Sequence, residues 1–333
     1  MSLLGIDIGG TKVALRAENS AGASYDVSFR WPEGRPDDAP GEGFARDVAE
    51  LSRRLAPAPG SRREPVTAVG VALPALLDAE GRVAAWPGRP SWEGARPLEA
   101  LAGLFPRAGI VWADDGDLAA LAEAEAAGCA DLLYIGVGTG IGGGVICGGR
   151  PLPGPGLGSC EVGHVVVDHS GGQRCDCGRL GCVQALASGP ATLRRAAELR
   201  GGPVEFAALR DGVAAGAPWA VGALEPAVRA LAALVVSVAE LTRPRLALIG
   251  GGFAAGVPDL VPRVEDELAR LARPGMSVPV VRRAALGGLS SLSGAVALAR
   301  RTVSRGDGAD QCRDSVMAGT ESPSRSGGAS AGS

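Results

Sequence analysis

The sequence predicts an α/β protein built from two similar domains that face each other. Two observations carry this expectation. An apolar run, a glycine turn and a second apolar run occur at residues 3–17 and recur at 131–149, so each opens a block of about half the chain. Between and after them, short apolar strands alternate with segments of helical spacing, the pattern of α/β layers. At 333 residues the chain is also long for one core, and two domains of ordinary size fit it better.

Taken in order, LLGIDI (3–8) reads as a buried strand, Gly9-Gly10-Thr11 as a tight turn and VALRA (13–17) as the returning strand. Residues 31–43, rich in Pro, Gly and Asp, read as loop. Phe44, Val48, Leu51 and Leu55 recur at helical spacing and predict a helix over 43–56. VTAVGVALP (66–74) is a strand stopped by Pro74, 86–97 is loop, and 98–105 is a short helix. IVWADD (110–115) is a strand that ends in acid, followed by an alanine-rich helix over 117–128 closed by Gly128. After the second hairpin come helices around 187–200 and 219–241, a strand with a glycine turn at 245–253, and helices over 257–272 and 293–301. From about 303 the chain is rich in Ser, Gly and Asp with few apolar residues, the composition of a disordered tail. The expected division is 1–113, 114–302 and the tail 303–333.

Composition narrows the function. A formal charge of −3 gives no electrostatic footprint for nucleic acid or an anionic membrane. The uncharged run 132–149 reaches the lower length limit of a membrane span, but its eight glycines make a poor helix. The N-terminus has no basic region and meets Asp7 at once, which argues against a signal peptide. Seven unevenly spaced cysteines argue against a disulfide framework and for a reducing, cytoplasmic setting.

Three glycine turns suit a phosphate ligand. Gly138-x-Gly140-x-x-Gly143 matches the dinucleotide fingerprint, but the residues after it read as a returning strand, whereas that motif must open a helix. A glycine turn between strands can still converge its backbone N–H groups on an anion, with Thr11 or Thr139 adding a hydroxyl; the bland alternative is a plain tight hairpin. A third turn, Gly250-Gly251-Gly252, shifts the balance towards a nucleotide.

WADDGD (112–117) sets Asp114, Asp115 and Asp117 where a strand gives way to a helix. Ligands sit at such strand ends, and a carboxylate there can take the proton of an attacking hydroxyl. One of the three is expected to cap the helix, Asp117 by its place beside the helical run; three exceed that need. Further on, Cys175-x-Cys177-x4-Cys182 lies just downstream of both histidines, His164 and His169. Three thiolates and one imidazole make a donor set for tetrahedral zinc, and spacing does not choose between the histidines.

Together these pieces resemble the ROK family (repressors, open-reading-frame proteins and sugar kinases). DIGGTK (7–12) is similar to its first phosphate motif, IGVGTGIGGGVICGG (135–149) to its second, and LIGGGF (248–253) to its nucleotide-side turn. EVGHVVVD (161–168) with CDCGRLGC (175–182) resembles its signature region, and the likeness runs from about residue 3 to 301. The resemblance implies two RNase H-like domains of actin/hexokinase-like architecture around an active-site cleft. The last helix, about 290–302, would pack back on the N-terminal domain. It implies MgATP and a sugar in the cleft, a structural zinc, and a homodimer. Asp115 matches the catalytic base and Asp7 the acid that orients Mg²⁺ through water. Gly9, Gly10, Thr11, Lys12, Gly138, Thr139, Gly140 and Gly250 to Gly252 match the nucleotide-binding turns. Asp114, Glu161, His164 and Gln184 match sugar contacts, and His164 with Cys175, Cys177 and Cys182 matches the zinc ligands.

The sugar-reading positions depart from the family pattern. Asp114 and Asp117 stand where the family has Asn, Gln184 where it has Glu, Ala75 follows Pro74 where Gly is usual, and PGRPSW (87–92) lacks the usual Asn. The expectation is therefore an intact kinase acting on the primary hydroxyl of a hexose or hexose-like polyol with an unusual acceptor end. Gln184 can donate a hydrogen bond where an ionised Glu cannot, so a C7 cyclitol ketone of the valiolone type qualifies. Glucose and N-acetylhexosamines are the ordinary alternatives. A non-catalytic sugar-binding regulator is the alternative of another class. Family repressors carry a DNA-binding helix-turn-helix ahead of the first phosphate motif, whose leading strand here begins at residue 3.

Overall fold

A computed structural model describes residues 2–32, 41–55, 65–154, 159–170 and 172–306. β1 (Ser2–Ile8), β2 (Lys12–Glu18) and β3 (Ser24–Arg30) form an antiparallel meander, followed by α1 (Glu42–Leu55). β4 (Val66–Ala72) runs parallel to β1. The small hairpin of β5 (Leu76–Leu77) and β6 (Val83–Ala85), then α2 (Pro97–Leu104), lead to β7 (Gly109–Ala113), parallel to β4. The sheet order is β3-β2-β1-β4-β7.

α3 (Asp115–Ala127) leads into a second round: the meander β8 (Leu132–Val137), β9 (Ile141–Cys147) and β10 (Arg150–Leu152). Helices α4 (Val183–Ala187), α5 (Gly189–Arg200), α6 (Phe206–Ala214) and α7 (Pro218–Thr242) precede β11 (Leu246–Gly250), which is parallel to β8. Then come α8 (Gly252–Gly256), α9 (Leu260–Leu271), β12 (Val280–Arg283), parallel to β11, and α10 (Ser290–Gly306). The second sheet reads β10-β9-β8-β11-β12. The two sheets thus share one plan: a three-stranded meander whose first strand carries two further parallel strands.

Two helices join the sheets. α10 lies on β1 and β4, where a side chain on Gly70 would meet the Ala295 carbonyl at 1.8 Å and one on Gly5 would meet Val296. α3 lies on β8 and β9, and a Cβ on Gly294 of α10 would meet the Leu118 carbonyl of α3 at 2.0 Å. α3 is built for this crowding, with Ala119, Ala120, Ala122 and Ala124 all buried. Side chains inserted at such contacts typically cost about 1–3 kcal/mol.

The first sheet's outer core gathers Ile6, Ile8, Val69 and Val71 against Leu51 and the tryptophans Trp31, Trp86 and Trp92. The second packs Leu133, Ile135 and Val137 against Leu231, Leu234 and Val235 of α7. α7 is long and apolar enough to cross a membrane, but half of its apolar window is buried and it packs on α4, α5 and α9. The uncharged run 132–149 is the β8–β9 hairpin.

Several elements were not expected from the sequence: β3, β5, β6, β10, β12, α4, α6 and α8. α10 continues to Gly306, while residues 307–333 of the predicted tail and most of the 31–43 loop lie outside the described residues. α3 begins two residues earlier than predicted. Its cap is Asp114, whose Oδ1 accepts the Gly116 N–H at 3.0 Å. Asp117, the expected cap, sits instead in the first turn facing β9, buried, with Oδ1 accepting the Cys160 N–H at 3.4 Å.

Candidate active site

The C-terminal ends of β1, β7, β8 and β11 present the three glycine turns and the acids. β1 ends at Asp7-Ile8 and the chain reverses through Gly9, Gly10 and Thr11, closed by the Gly9 N–H donating to the Lys12 carbonyl at 2.9 Å. The second turn, Gly138-Thr139-Gly140, is closed by Gly138 N–H to Gly140 O at 2.9 Å, and the Gly189 N–H donates to Gly138 O at 2.9 Å. β9 returns antiparallel from this turn, so the fingerprint-like glycines do not open a helix and the dinucleotide motif is absent here. Beside it, β11 ends in Gly250, and Gly251, at φ +86°, turns the chain into α8. A Cβ on Gly251 would meet the Val137 carbonyl at 2.4 Å, so the second and third turns lie in contact.

Gly143, the last glycine of the fingerprint-like string, and Gly144 after it serve packing. A Cβ on Gly116 would come within 2.5 Å of Gly143 O, one on Gly143 would meet Tyr134 O at 2.1 Å, and one on Gly144 would crowd Ala120 and Asp117. These bare positions let the start of α3 sink onto β9 and carry Asp114, Asp115 and Asp117 to the level of the glycine turns.

Electrostatics shows how tightly the acids gather. Burial pushes Asp7 up to about 6, with the Asp115 charge adding and Lys12 opposing. Burial raises Asp114 most, and the charge of Asp115 beside it adds. Asp115 is raised by burial, opposed by the Gly116 N–H and helped by Glu161. Burial pushes Asp117 up to about 7, opposed by the Cys160 N–H, with Glu161 and Asp115 adding. Five carboxylates therefore share one field, and Lys12 is the cation that opposes it at Asp7.

Glu161 and His164 stand on a short 3-10 turn, Val162–His164, held close to β9 because Gly163 lies against the Ile141 carbonyl. From there the chain runs through the cysteine loop. The ligating atoms of His164, Cys175, Cys177 and Cys182 lie within 4.8 Å of one another. His164 Nδ1 is 3.6 Å from Cys175 Sγ, and the Cys177 and Cys182 sulfurs are 3.6 Å apart. Tetrahedral zinc, with Zn–S near 2.3 Å and Zn–N near 2.0–2.1 Å, needs edges of about 3.6–3.8 Å, so the donor set fits. His169 is exposed and is not one of the four. Gly181, at φ +70° and pressed on the Asp168 carbonyl, lets the loop fold back on itself.

Cys182 leads straight into α4, whose Gln184 turns to the second glycine turn: its Oε1 accepts the Ile141 N–H at 3.1 Å. The clasp cysteines, the Glu161–His164 turn and Gln184 are thus one connected unit against the β8–β9 hairpin. Sequence reasoning missed a further group behind the first turn. Asp47 and Arg89 pair there in a buried site with Trp31 and Trp92. The signal was available, since Asp47 falls on the apolar stripe of α1, between Phe44 and Leu51.

Two sheets of one plan, a glycine turn from each and a carboxylate at the start of the helix between them are the architecture of the actin/hexokinase-like class. The chain belongs to the ROK family, which it matches over residues 3–302. It is 54% identical over 296 residues to a kanosamine kinase of Amycolatopsis mediterranei (strain S699), covering 89% of this chain and 95% of that protein. It is 31% identical over 272 residues to an N-acetylmannosamine kinase of Shigella flexneri, covering 78% and 87%. Among solved structures it is similar to a ROK hexokinase from Thermus thermophilus, with a TM-score of 0.79 and 30% identity over 92% of this chain and all of that one. A ROK glucokinase from Streptomyces griseus, solved with glucose and AMPPNP, matches with a TM-score of 0.70 and 26% identity over 90% of this chain and all of that one.

Proposed function

We propose that the protein transfers the γ-phosphoryl group of ATP to the primary hydroxyl of an amino hexose, kanosamine (3-amino-3-deoxyglucose) being the first candidate. The observation that carries this reading is Asp114, a buried carboxylate beside Asp115 in a cluster of acids. A buried anion is costly with a neutral sugar and favourable with a bound ammonium, which offers charge and donors together. The similarity to a kanosamine kinase supports it.

In this reading Asp115 accepts the proton of the hydroxyl as its oxygen bonds to the γ-phosphorus and the bond to the ADP oxygen breaks. The raised affinity of Asp115 for a proton makes it a better base than a free carboxylate. Gly9 to Thr11, Gly138 to Gly140 and Gly250 to Gly252 supply backbone donors to the phosphates, with Thr11, Thr139 and Lys12 beside them. Mg²⁺, oriented by Asp7 through water, would neutralise charge on the transferring group. Glu161, His164 and Gln184 hold the acceptor. Zinc on His164, Cys175, Cys177 and Cys182 would fix that loop and leave Nε2 of His164 free to bond the sugar. The halves 1–113 and 114–302 would close on the substrates. We place the reaction in the cytoplasm, where ATP and reduced thiols coexist, with a homodimer as the assembly.

A C7 cyclitol ketone is the second reading, favoured by Gln184: its oxygen is held by Ile141 N–H, so its amide NH2 is free to donate to a carbonyl. An ATP-consumption assay on kanosamine, glucose, N-acetylmannosamine and a C7 cyclitol ketone tests both. Kanosamine is expected to give the highest kcat/KM, and Asp114→Asn to lower it about 10- to 100-fold while changing glucose little, the worth of one charged hydrogen bond. Equal losses on glucose and kanosamine would remove the ammonium from the argument. Turnover confined to the cyclitol would install the second reading.

A further inference from the structure

The first glycine turn is gripped from behind at three successive carbonyls. Trp31 Nε1–H donates to Gly9 O at 2.8 Å, Arg89 Nη1–H to Gly10 O at 3.0 Å, and the Trp31 backbone N–H to Thr11 O at 3.1 Å. Arg89 is itself fixed. Its Nε and Nη2 donate to Asp47 Oδ2 and Oδ1 at 2.5 and 2.7 Å, and its guanidinium lies 5.0 Å over the Trp31 ring. Asp47 is wholly buried and takes a third bond from Trp92 Nε1–H at 2.8 Å. The loop carrying Arg89 also touches the turn directly, since a Cβ on Gly10 would meet Gly88 O at 2.5 Å.

In a trans peptide the N–H points opposite to the C=O of the same unit. Fixing Gly9 O therefore aims the Gly10 N–H, and fixing Gly10 O aims the Thr11 N–H, both away from the frame and out of the turn. Among the described residues neither N–H has a partner. Arg89 stands in the loop 86–92, and its side chain turns inward to the first glycine turn.

We propose that Trp31 and Arg89, anchored by Asp47, are positioning residues for phosphoryl transfer: they hold the Gly10 and Thr11 amides in the orientation that receives the transferring phosphate. Arg89 also ties the loop 86–92 to that turn, so the two move as one body. The proposal rests on the kinase reading.

The test measures calorimetric Kd values for Mg·AMPPNP and Mg·ADP together with kcat and melting temperature. Trp31→Phe keeps an aromatic ring but deletes the Nε1–H donor with the pyrrole half of the indole; Arg89→Met deletes the other donor; Arg89→Lys keeps a charge that can still reach Gly10 O. Phe44→Leu, which loosens the same aromatic cluster without touching the turn, is the control. Trp31→Phe and Arg89→Met are each expected to weaken AMPPNP about 3- to 10-fold, the worth of one net hydrogen bond, with ADP within about 2-fold. Turnover should fall in parallel, and Arg89→Lys should recover part of both losses. Phe44→Leu should lower only the melting temperature. Should Arg89→Met fail to fold, Trp31→Phe decides alone. An unchanged AMPPNP-to-ADP ratio in Trp31→Phe overturns the positioning role and leaves the kinase reading standing. Wild-type protein that binds neither nucleotide overturns both.

Discussion

The two glycine hairpins occupy equivalent places in sheets of one plan, yet they are held in different ways. The first, between β1 and β2, is set in an aromatic and ionic frame of side chains from its own half: Trp31, Arg89, Asp47 and Trp92. The second, between β8 and β9, is held by the segment that also carries the Cys3His donor set and the proposed acceptor contacts, through Gln184 and the Gly189 N–H. The same backbone motif has thus been stabilised once by a local core and once by a neighbouring site. The first turn should be insensitive to the cysteine loop and α4, and the second should feel every disturbance in them. α3 sits between them, and Asp115 at its start belongs to neither frame.

The largest effect should come at that shared point. Asp115→Asn removes the proton acceptor while both turns keep their supports, so nucleotide affinity should hold and kcat should fall about 10²- to 10⁴-fold. Steady-state kinetics with Mg·ATP and a saturating acceptor measures it. Near-normal turnover would take Asp115 out of the chemistry and leave the comparison as one of two binding turns.

The clasp provides the next contrast. Cys177→Ser, or prolonged chelation, should raise the acceptor KM about 10- to 100-fold, the usual range for weakening a metal site. Because Cys182 opens α4 and Gln184 touches Ile141, nucleotide affinity should also fall, though less. Metal analysis of the purified protein should find about one zinc per chain. A metal-free preparation with full activity would mean that the four ligands assemble without an ion and that the second turn is self-supporting.

Much of this arrangement was legible in the sequence because it is local. Each glycine hairpin is written within 20 residues, and Cys175, Cys177 and Cys182 announce a donor set on their own. The start of α3 was misplaced because three acids in four positions are equally able to cap. What decides among them is the contact of Gly116 and Asp117 with β9, which no local pattern encodes. Arg89 was passed over for the same reason: Asp47 is 42 residues away, and only the fold brings the two together. β3 was missed for a different reason. Tyr25, Val27 and Phe29 do alternate with Ser24, Asp26, Ser28 and Arg30, but an edge strand with a mostly exposed face makes only a faint apolar run. Gly143 shows the converse case, a motif-like glycine that answers to packing, as the returning strand after it foretold.

The smallest predicted effect separates the acid cluster from both turns. Asp117 and Asp7 are pushed from an ordinary 3.8 up to about 7 and about 6. Between those limits the folded protein without ligands keeps protons that the unfolded chain has released. Folding then takes up protons, so stability is greatest on the acid side and is lost as pH rises through about 4 to 7. The slope is at most about 1.4 kcal/mol per pH unit for each such group. Thermal melts at pH 5, 6, 7 and 8 should therefore show a falling melting temperature. Asp117→Asn should flatten the fall between pH 5 and 7, because a neutral amide carries no such penalty. Saturating kanosamine should flatten it as well, since an ammonium in the cluster stabilises the ionised acids that burial opposes, whereas glucose should not. A melting temperature that rises or stays level over this range would mean that the acids are solvated in solution. Asp114 would then lose the electrostatic reason given for an amino sugar, and the two frames would differ in construction without differing in charge.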